Sequence, residues 1–128
     1  MLIIVKDNRP VNLDMTTIRL PLPAVVSILT RASGVFIFAG MAVMIWLLDM
    51  SLASEAEFMR AQELVSSPLV KLVVWAIVSG VIYHALAGIK HLVADFGYGE
   101  TLEGGILGAR LVVVLAALLI AVAGVWIW

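Results

Sequence analysis

Three stretches without a charged side chain constrain this chain more than any other feature: 17 residues between Arg31 and Asp49, 18 between Lys71 and Lys90, and 18 after Arg110. With a few flanking residues, each reaches the ~20 needed to cross ~30 Å of hydrocarbon at ~1.5 Å per residue. Composition agrees, since 63% of the 128 residues are hydrophobic and 13% are charged. A mean hydropathy of +1.14 also lies well outside the usage of soluble domains. The expected fold class is an all-α integral membrane protein with three transmembrane helices.

The charges and prolines divide the chain further. Residues 1–23 are polar and punctuated by Pro10, Pro21 and Pro23, with Lys6, Arg9 and Arg19 close to the first span. They are expected to lie along the membrane surface as a cytoplasmic N-terminal segment. The opening MLIIVKDNRP has too short an apolar stretch for a signal peptide and no small-residue cleavage pattern, so no removed targeting sequence is expected. Pro23 suits the first turn of a helix. The spans are placed at 24–50, 68–93 and 107–128, separated by a periplasmic loop at 51–67 and a cytoplasmic loop at 94–106. The first loop is acidic, with Asp49, Glu55, Glu57 and Glu63 against Arg60, and is expected to be partly helical. By the positive-inside rule the basic N-terminus is cytoplasmic and the C-terminus periplasmic, with Trp126 and Trp128 as interfacial anchors. Lys71 at the outer end of the second span runs against this orientation, but one residue does not outweigh Lys6, Arg9, Arg19, Arg31 and Lys90.

Other function classes drop out. With no cysteine, the chain holds neither a disulfide nor a thiolate-bound iron–sulfur cluster, and it has no thiol nucleophile. A net charge of −1 and a pI near 6.0 give no basic field for nucleic acid. Three helices are few for a self-contained transporter or channel, so polar groups at membrane depth are expected to face a partner or a shared cavity.

Two polar clusters lie within the spans. On the second span Gly80, His84, Ala87, Gly88 and His91 fall at helical spacings of three, four and seven, hence on one face. A flat macrocycle such as haem needs such a face, with little bulk around an imidazole ligand. His84 lies six residues inside Lys90, roughly 9 Å deeper at ~1.5 Å per residue, whereas His91 sits at the interface. The same pattern also serves a histidine that hydrogen-bonds to another helix amid ordinary close-packing residues. On the first span Ser27 and Arg31 share a face, with Thr30 and Ser33 beside them. Arg31 can snorkel to the headgroups as a topology determinant. Alternatively, the hydroxyl and guanidinium together can bind a ligand carbonyl or a propionate carboxylate.

In combination, RP at 9–10, SILTRASG from Ser27 to Gly34, and H-x(3)-G-x(2)-H-x(3)-D-F-G from His84 to Gly97 resemble the cytochrome b membrane anchor of bacterial succinate dehydrogenase, respiratory complex II. The resemblance runs through all 128 residues. It implies a chain of the bacterial inner membrane that packs with a second hydrophobic three-helix anchor around a shared b-type haem. It further implies that both anchors hold the flavoprotein and iron–sulfur subunits on the cytoplasmic face and pass electrons to ubiquinone, the substrate, in aerobic respiration and the tricarboxylic acid cycle. By this likeness His84 is the axial ligand of the haem iron, Arg31 and His91 also bind haem, and Ser27 and Arg31 line the quinone site. Lipid surrounds the assembly. The family pattern has histidine where this chain has Thr30 and arginine where it has Lys90; Lys90 keeps the charge but loses the planar fork.

The expected role is therefore that of one chain of a larger complex rather than a complete enzyme. Succinate oxidation needs flavin and a soluble domain, and no dinucleotide-binding glycine fingerprint is present. The rival readings are the anchor of a fumarate reductase using menaquinone, and a small helical scaffold without cofactor.

Overall fold

A computed structural model describes Asp14 and residues 17–128. The motif at 9–10 and the charges of Lys6 and Arg9 lie outside the described residues, as does most of the 1–23 segment expected at the membrane surface. The described chain is all-helical: α1 (Leu22–Ala53), α2 (Glu55–Ser66), α3 (Pro68–Asp95) and α4 (Leu102–Ile127). Three of these, α1, α3 and α4, are long and apolar enough to cross a membrane. At 32 residues α1 is roughly 48 Å long, so its ends project beyond ~30 Å of hydrocarbon.

Local chemistry sets the helix ends. Pro23 lies in the first turn of α1, where a missing N–H breaks no helical bond. Ser54 is extended (φ −168°, ψ 168°), which ends α1, and its hydroxyl accepts from the Glu57 N–H at 3.2 Å to begin α2. Glu55 and Glu57 then occupy the first turn of α2, where the helix dipole favours carboxylates. Ser67 caps α3 in the same way, accepting from the Val70 N–H ahead of Pro68. After α3, Gly97 takes φ 85°; its N–H donates to the Ala94 carbonyl and that of Tyr98 to the Val93 carbonyl. This is a Schellman closure, which glycine enters without steric penalty. Thr101 caps α4 by accepting from the Gly104 N–H at 3.1 Å.

Small residues let the long helices approach closely. A side-chain carbon added at Gly40 would lie 2.8 Å from Cγ1 of Ile77, and one at Gly80 would lie 2.9 Å from Cδ1 of Phe36. Gly34 meets His84 in the same way, so the contacts run 34 to 84, 36 to 80 and 40 to 77, which makes α1 and α3 antiparallel. Trp75 donates from Nε1 to the Ile120 carbonyl at 3.0 Å and Gly108 lies against the Lys90 stem, which makes α3 and α4 antiparallel too. Pro23 sits beside Gly105. The start of α1, the end of α3 and the start of α4 therefore share one end of the bundle.

The core at that end is Val26, Ala87, Ala109 and Val112, with Tyr83 and Leu86 packed against it. At the opposite end α2 folds back on α1 and α3 through buried Ala61. Only 11% to 17% of each span is buried inside the chain, so most of every long helix is left to meet lipid or another protein. Phe38 and Val125, both more than three-quarters exposed, illustrate this outward apolar surface.

Candidate functional site

His84 sits eleven residues before the end of α3, roughly 16 Å in at ~1.5 Å per residue. The residues of α1 that meet it, Thr30 and Ser33, are eight and eleven residues past Leu22, a matching depth. Its Nδ1 lies 3.0 Å from Oγ of Ser33 and 3.1 Å from the Thr30 carbonyl oxygen. The Ser33 hydroxyl donates to that same carbonyl at 2.8 Å.

These contacts favour the tautomer protonated at Nδ1, because a carbonyl can only accept and its approach at 3.1 Å is attractive only toward an N–H. Ser33 has already given its proton to the Thr30 carbonyl, so its oxygen also accepts from Nδ1–H. In the neutral ring Nε2 then keeps its lone pair, and among the described residues nothing hydrogen-bonds to it. Gly34 permits the close approach, because a carbon added there would lie 3.3 Å from Cε1 of His84. A half-buried imidazole with its Nδ1–H held by a backbone carbonyl and a free Nε2 is the arrangement of a metal-ligating histidine with its supporting hydrogen bond. The donor set fits haem iron.

A second carbonyl ties the same helices together. The Val26 oxygen accepts from the Thr30 hydroxyl at 2.7 Å and from the Tyr83 hydroxyl at 3.0 Å. Thr30 thus bonds back to the residue four positions earlier, as hydroxyl residues in apolar helices often do. Its hydroxyl serves α1, while its carbonyl serves His84.

The small-residue face of α3 divides between α1, α4 and open space. Gly80 packs on Phe36 of α1, Ala87 is fully buried in the core with Ala109 and Val112 of α4, and a side-chain carbon added at Gly88 would meet nothing within 4 Å among the described residues. Open space therefore lies at Gly88, one turn from His84 along the same face. His91 is half-buried and makes no hydrogen bond among the described residues. Lys90 turns the other way. Its stem lies over Gly108 and lines an apolar groove of about 370 Å³ between α3 and α4.

Ser27 and Arg31 lie in the first turns of α1, four apart and hence on one face. Ser27 is half-buried and Arg31 exposed, and among the described residues Arg31 pairs with no carboxylate. Arg31 directly follows Thr30, whose carbonyl holds His84, so both sequence clusters converge on one stretch of the α1–α3 contact. The sequence pattern puts Ser33 only beside the first cluster and does not point to Tyr83.

Comparisons with known proteins identify the family. The family described as succinate dehydrogenase/fumarate reductase transmembrane subunit matches residues 5–125. The succinate dehydrogenase cytochrome b556 subunit of Coxiella burnetii is 40% identical over 122 residues, 94% of this chain and 98% of that protein. The protein of the same name from Paracoccus denitrificans is 36% identical over 98 residues, covering 77% and 75% of the two chains. That of Rickettsia prowazekii is 28% identical over 113 residues, 88% of each. With the match covering nearly its whole length and three membrane-length helices in place, this chain belongs to the succinate dehydrogenase/fumarate reductase transmembrane subunit family.

Proposed function

We propose that the chain is the haem- and quinone-binding membrane anchor of a succinate:ubiquinone oxidoreductase. In this role it pairs with a second hydrophobic anchor, holds the iron–sulfur and flavoprotein subunits at the cytoplasmic face, and helps deliver electrons to ubiquinone. The relatives named succinate dehydrogenase cytochrome b556 subunit support the direction and the b-type haem. The single observation that carries the reading is His84, whose Nδ1–H is engaged by Ser33 and the Thr30 carbonyl while Nε2 makes no hydrogen bond.

A haem held there would supply a one-electron station within the membrane. The protein's own part is to present the Nε2 lone pair of His84 and keep the ring oriented, with His91 and Arg31 nearer the cytoplasmic end. The partner anchor would supply the group's other histidine ligand, and the open space at Gly88 would leave room for the group beside His84. Ser27 donates its hydroxyl to a quinone carbonyl. Arg31 orients the headgroup and holds water or a propionate through its charged donors.

The distribution of basic residues between the bundle ends supports the orientation. Among the described residues, the end where α1 begins carries Arg19, Arg31, Lys90 and Arg110, and the opposite end has only Arg60 and Lys71. The positive-inside rule puts the first end in the cytoplasm and the C-terminus in the periplasm of a bacterial inner membrane. A reduced-minus-oxidised absorbance spectrum of the purified complex, alongside succinate-driven ubiquinone reduction, tests the proposal. A b-type band with quinone reductase activity is expected; a complex without the band contradicts the haem role.

A further inference from the structure

The His84 imidazole meets two acceptors that are themselves linked. The Thr30 carbonyl is shared: it already takes a helical N–H and the Ser33 hydroxyl proton, so it is the weaker acceptor for Nδ1–H. The Ser33 oxygen, having donated its own hydrogen, has lone pairs left and lies closer to Nδ1, at 3.0 Å against 3.1 Å. Nothing else among the described residues reaches the ring's nitrogens.

We infer that Ser33 is a positioning residue for the haem ligand: its hydroxyl, relayed onto the Thr30 carbonyl, sets the plane and donor strength of the His84 imidazole. The inference rests on the proposed role of His84 as axial ligand. An acceptor on Nδ1–H lends the ring imidazolate character and raises its basicity toward iron. More basic nitrogen favours the ferric over the ferrous state, so the relay holds the haem potential down. Two acceptors at different positions also define the ring plane, where one would leave it free to turn about a single hydrogen bond.

Ser33→Ala removes the hydroxyl and leaves the Thr30 carbonyl as the only acceptor. Ser33→Thr keeps the hydroxyl, and an open groove lined by Leu29, Ala32, Ser79 and Gly80 among others lies beside Ser33. Both are made in the complete complex, which is purified for redox titration of the haem and for low-temperature electron paramagnetic resonance of its ferric form. Ser33→Ala is expected to raise the midpoint potential by a change of about twofold to tenfold in the redox equilibrium constant, about 59 mV per tenfold for one electron. The ferric signal should shift or broaden as the ring plane loosens, and Ser33→Thr should stay near the parent in both.

Loss of haem from Ser33→Ala with retention in Ser33→Thr also supports the relay. Parent-like potential and resonance in Ser33→Ala overturn it, as does a displacement in Ser33→Thr equal to that in Ser33→Ala, which would assign the effect to packing. A His84→Leu complex with an unchanged haem spectrum overturns the ligand assignment itself, and the relay with it.

Discussion

Gly40 gives the sharpest reading of how α1 is held on α3. A methyl group at this position would lie 2.8 Å from Cγ1, 3.2 Å from Cγ2 and 3.3 Å from Cδ1 of Ile77. Non-bonded carbons prefer ~3.5–4.0 Å, so the nearest contact falls short by roughly 0.7 Å or more. Ile77 is 6% exposed and cannot swing away, so the helices must part. Overpacking of this kind costs ~1–3 kcal/mol, against roughly 1 kcal/mol gained by replacing a helical glycine with alanine. Gly40→Ala is therefore expected to be neutral to about 2 kcal/mol destabilising. At Gly80 the added carbon would crowd Phe36, whose ring is 46% exposed and can move aside, so Gly80→Ala should cost less. At Gly108 the nearest atom is Cγ of Lys90 at 3.5 Å, an ordinary contact on a flexible stem, so Gly108→Ala keeps its helical gain. Thermal unfolding of the three variants in detergent, followed by circular dichroism, should rank stability as Gly108→Ala, then Gly80→Ala, then Gly40→Ala. Gly40→Ala at or above Gly108→Ala would refute the tight α1–α3 packing.

Two further outcomes concern the proposed quinone site. Ser27→Ala and Arg31→Leu, each losing a polar contact worth ~1–3 kcal/mol, should impair quinone reduction far more than succinate oxidation by a dye that takes electrons upstream; equal loss in both assays would mean failed assembly. Thr30→Ala leaves the Val26 carbonyl with the Tyr83 hydroxyl and does not touch the carbonyl that holds His84, so quinone reductase activity should change by less than about a few-fold. Thr30→His should be tolerated and should add a titration near the ordinary imidazole value of ~6.5 to the activity profile; a drop in Thr30→Ala as large as in Ser27→Ala would place Thr30 in the quinone site.

How far these features could be read in advance depended on their range. The three long helices follow from charge-free runs, and the turns at Pro23, Ser67–Pro68 and Thr101 use local chemistry visible in the residues themselves. The back-bond from Thr30 to Val26 was equally legible, because it spans a single helical turn. The acidic loop, expected to be partly helical, forms the 12-residue helix α2, with Ser54 and two glutamates at its start. What spacing could not reveal was which neighbour each side chain meets. Gly80, Ala87 and Gly88 share a face by periodicity, yet α3 packs on both α1 and α4 along it and commits the first two to intrachain contacts. Ser33 and Tyr83 stayed outside the site for the same reason. Their partners lie 51 and 57 residues away, and only the antiparallel register of α1 on α3 brings them together.

The most direct test of the haem-anchor role compares His84→Leu with His91→Leu in the assembled complex, by the absorbance spectrum and ferric resonance of the haem. His84 has an engaged Nδ1 and an uncommitted Nε2 at membrane depth, whereas His91 lies seven residues nearer the end of α3 and has no such support. His84→Leu should therefore change the haem's ligation and spectrum or abolish its retention, and His91→Leu should leave the axial ligation intact. Unchanged ligation in His84→Leu, with altered ligation in His91→Leu, would contradict the assignment.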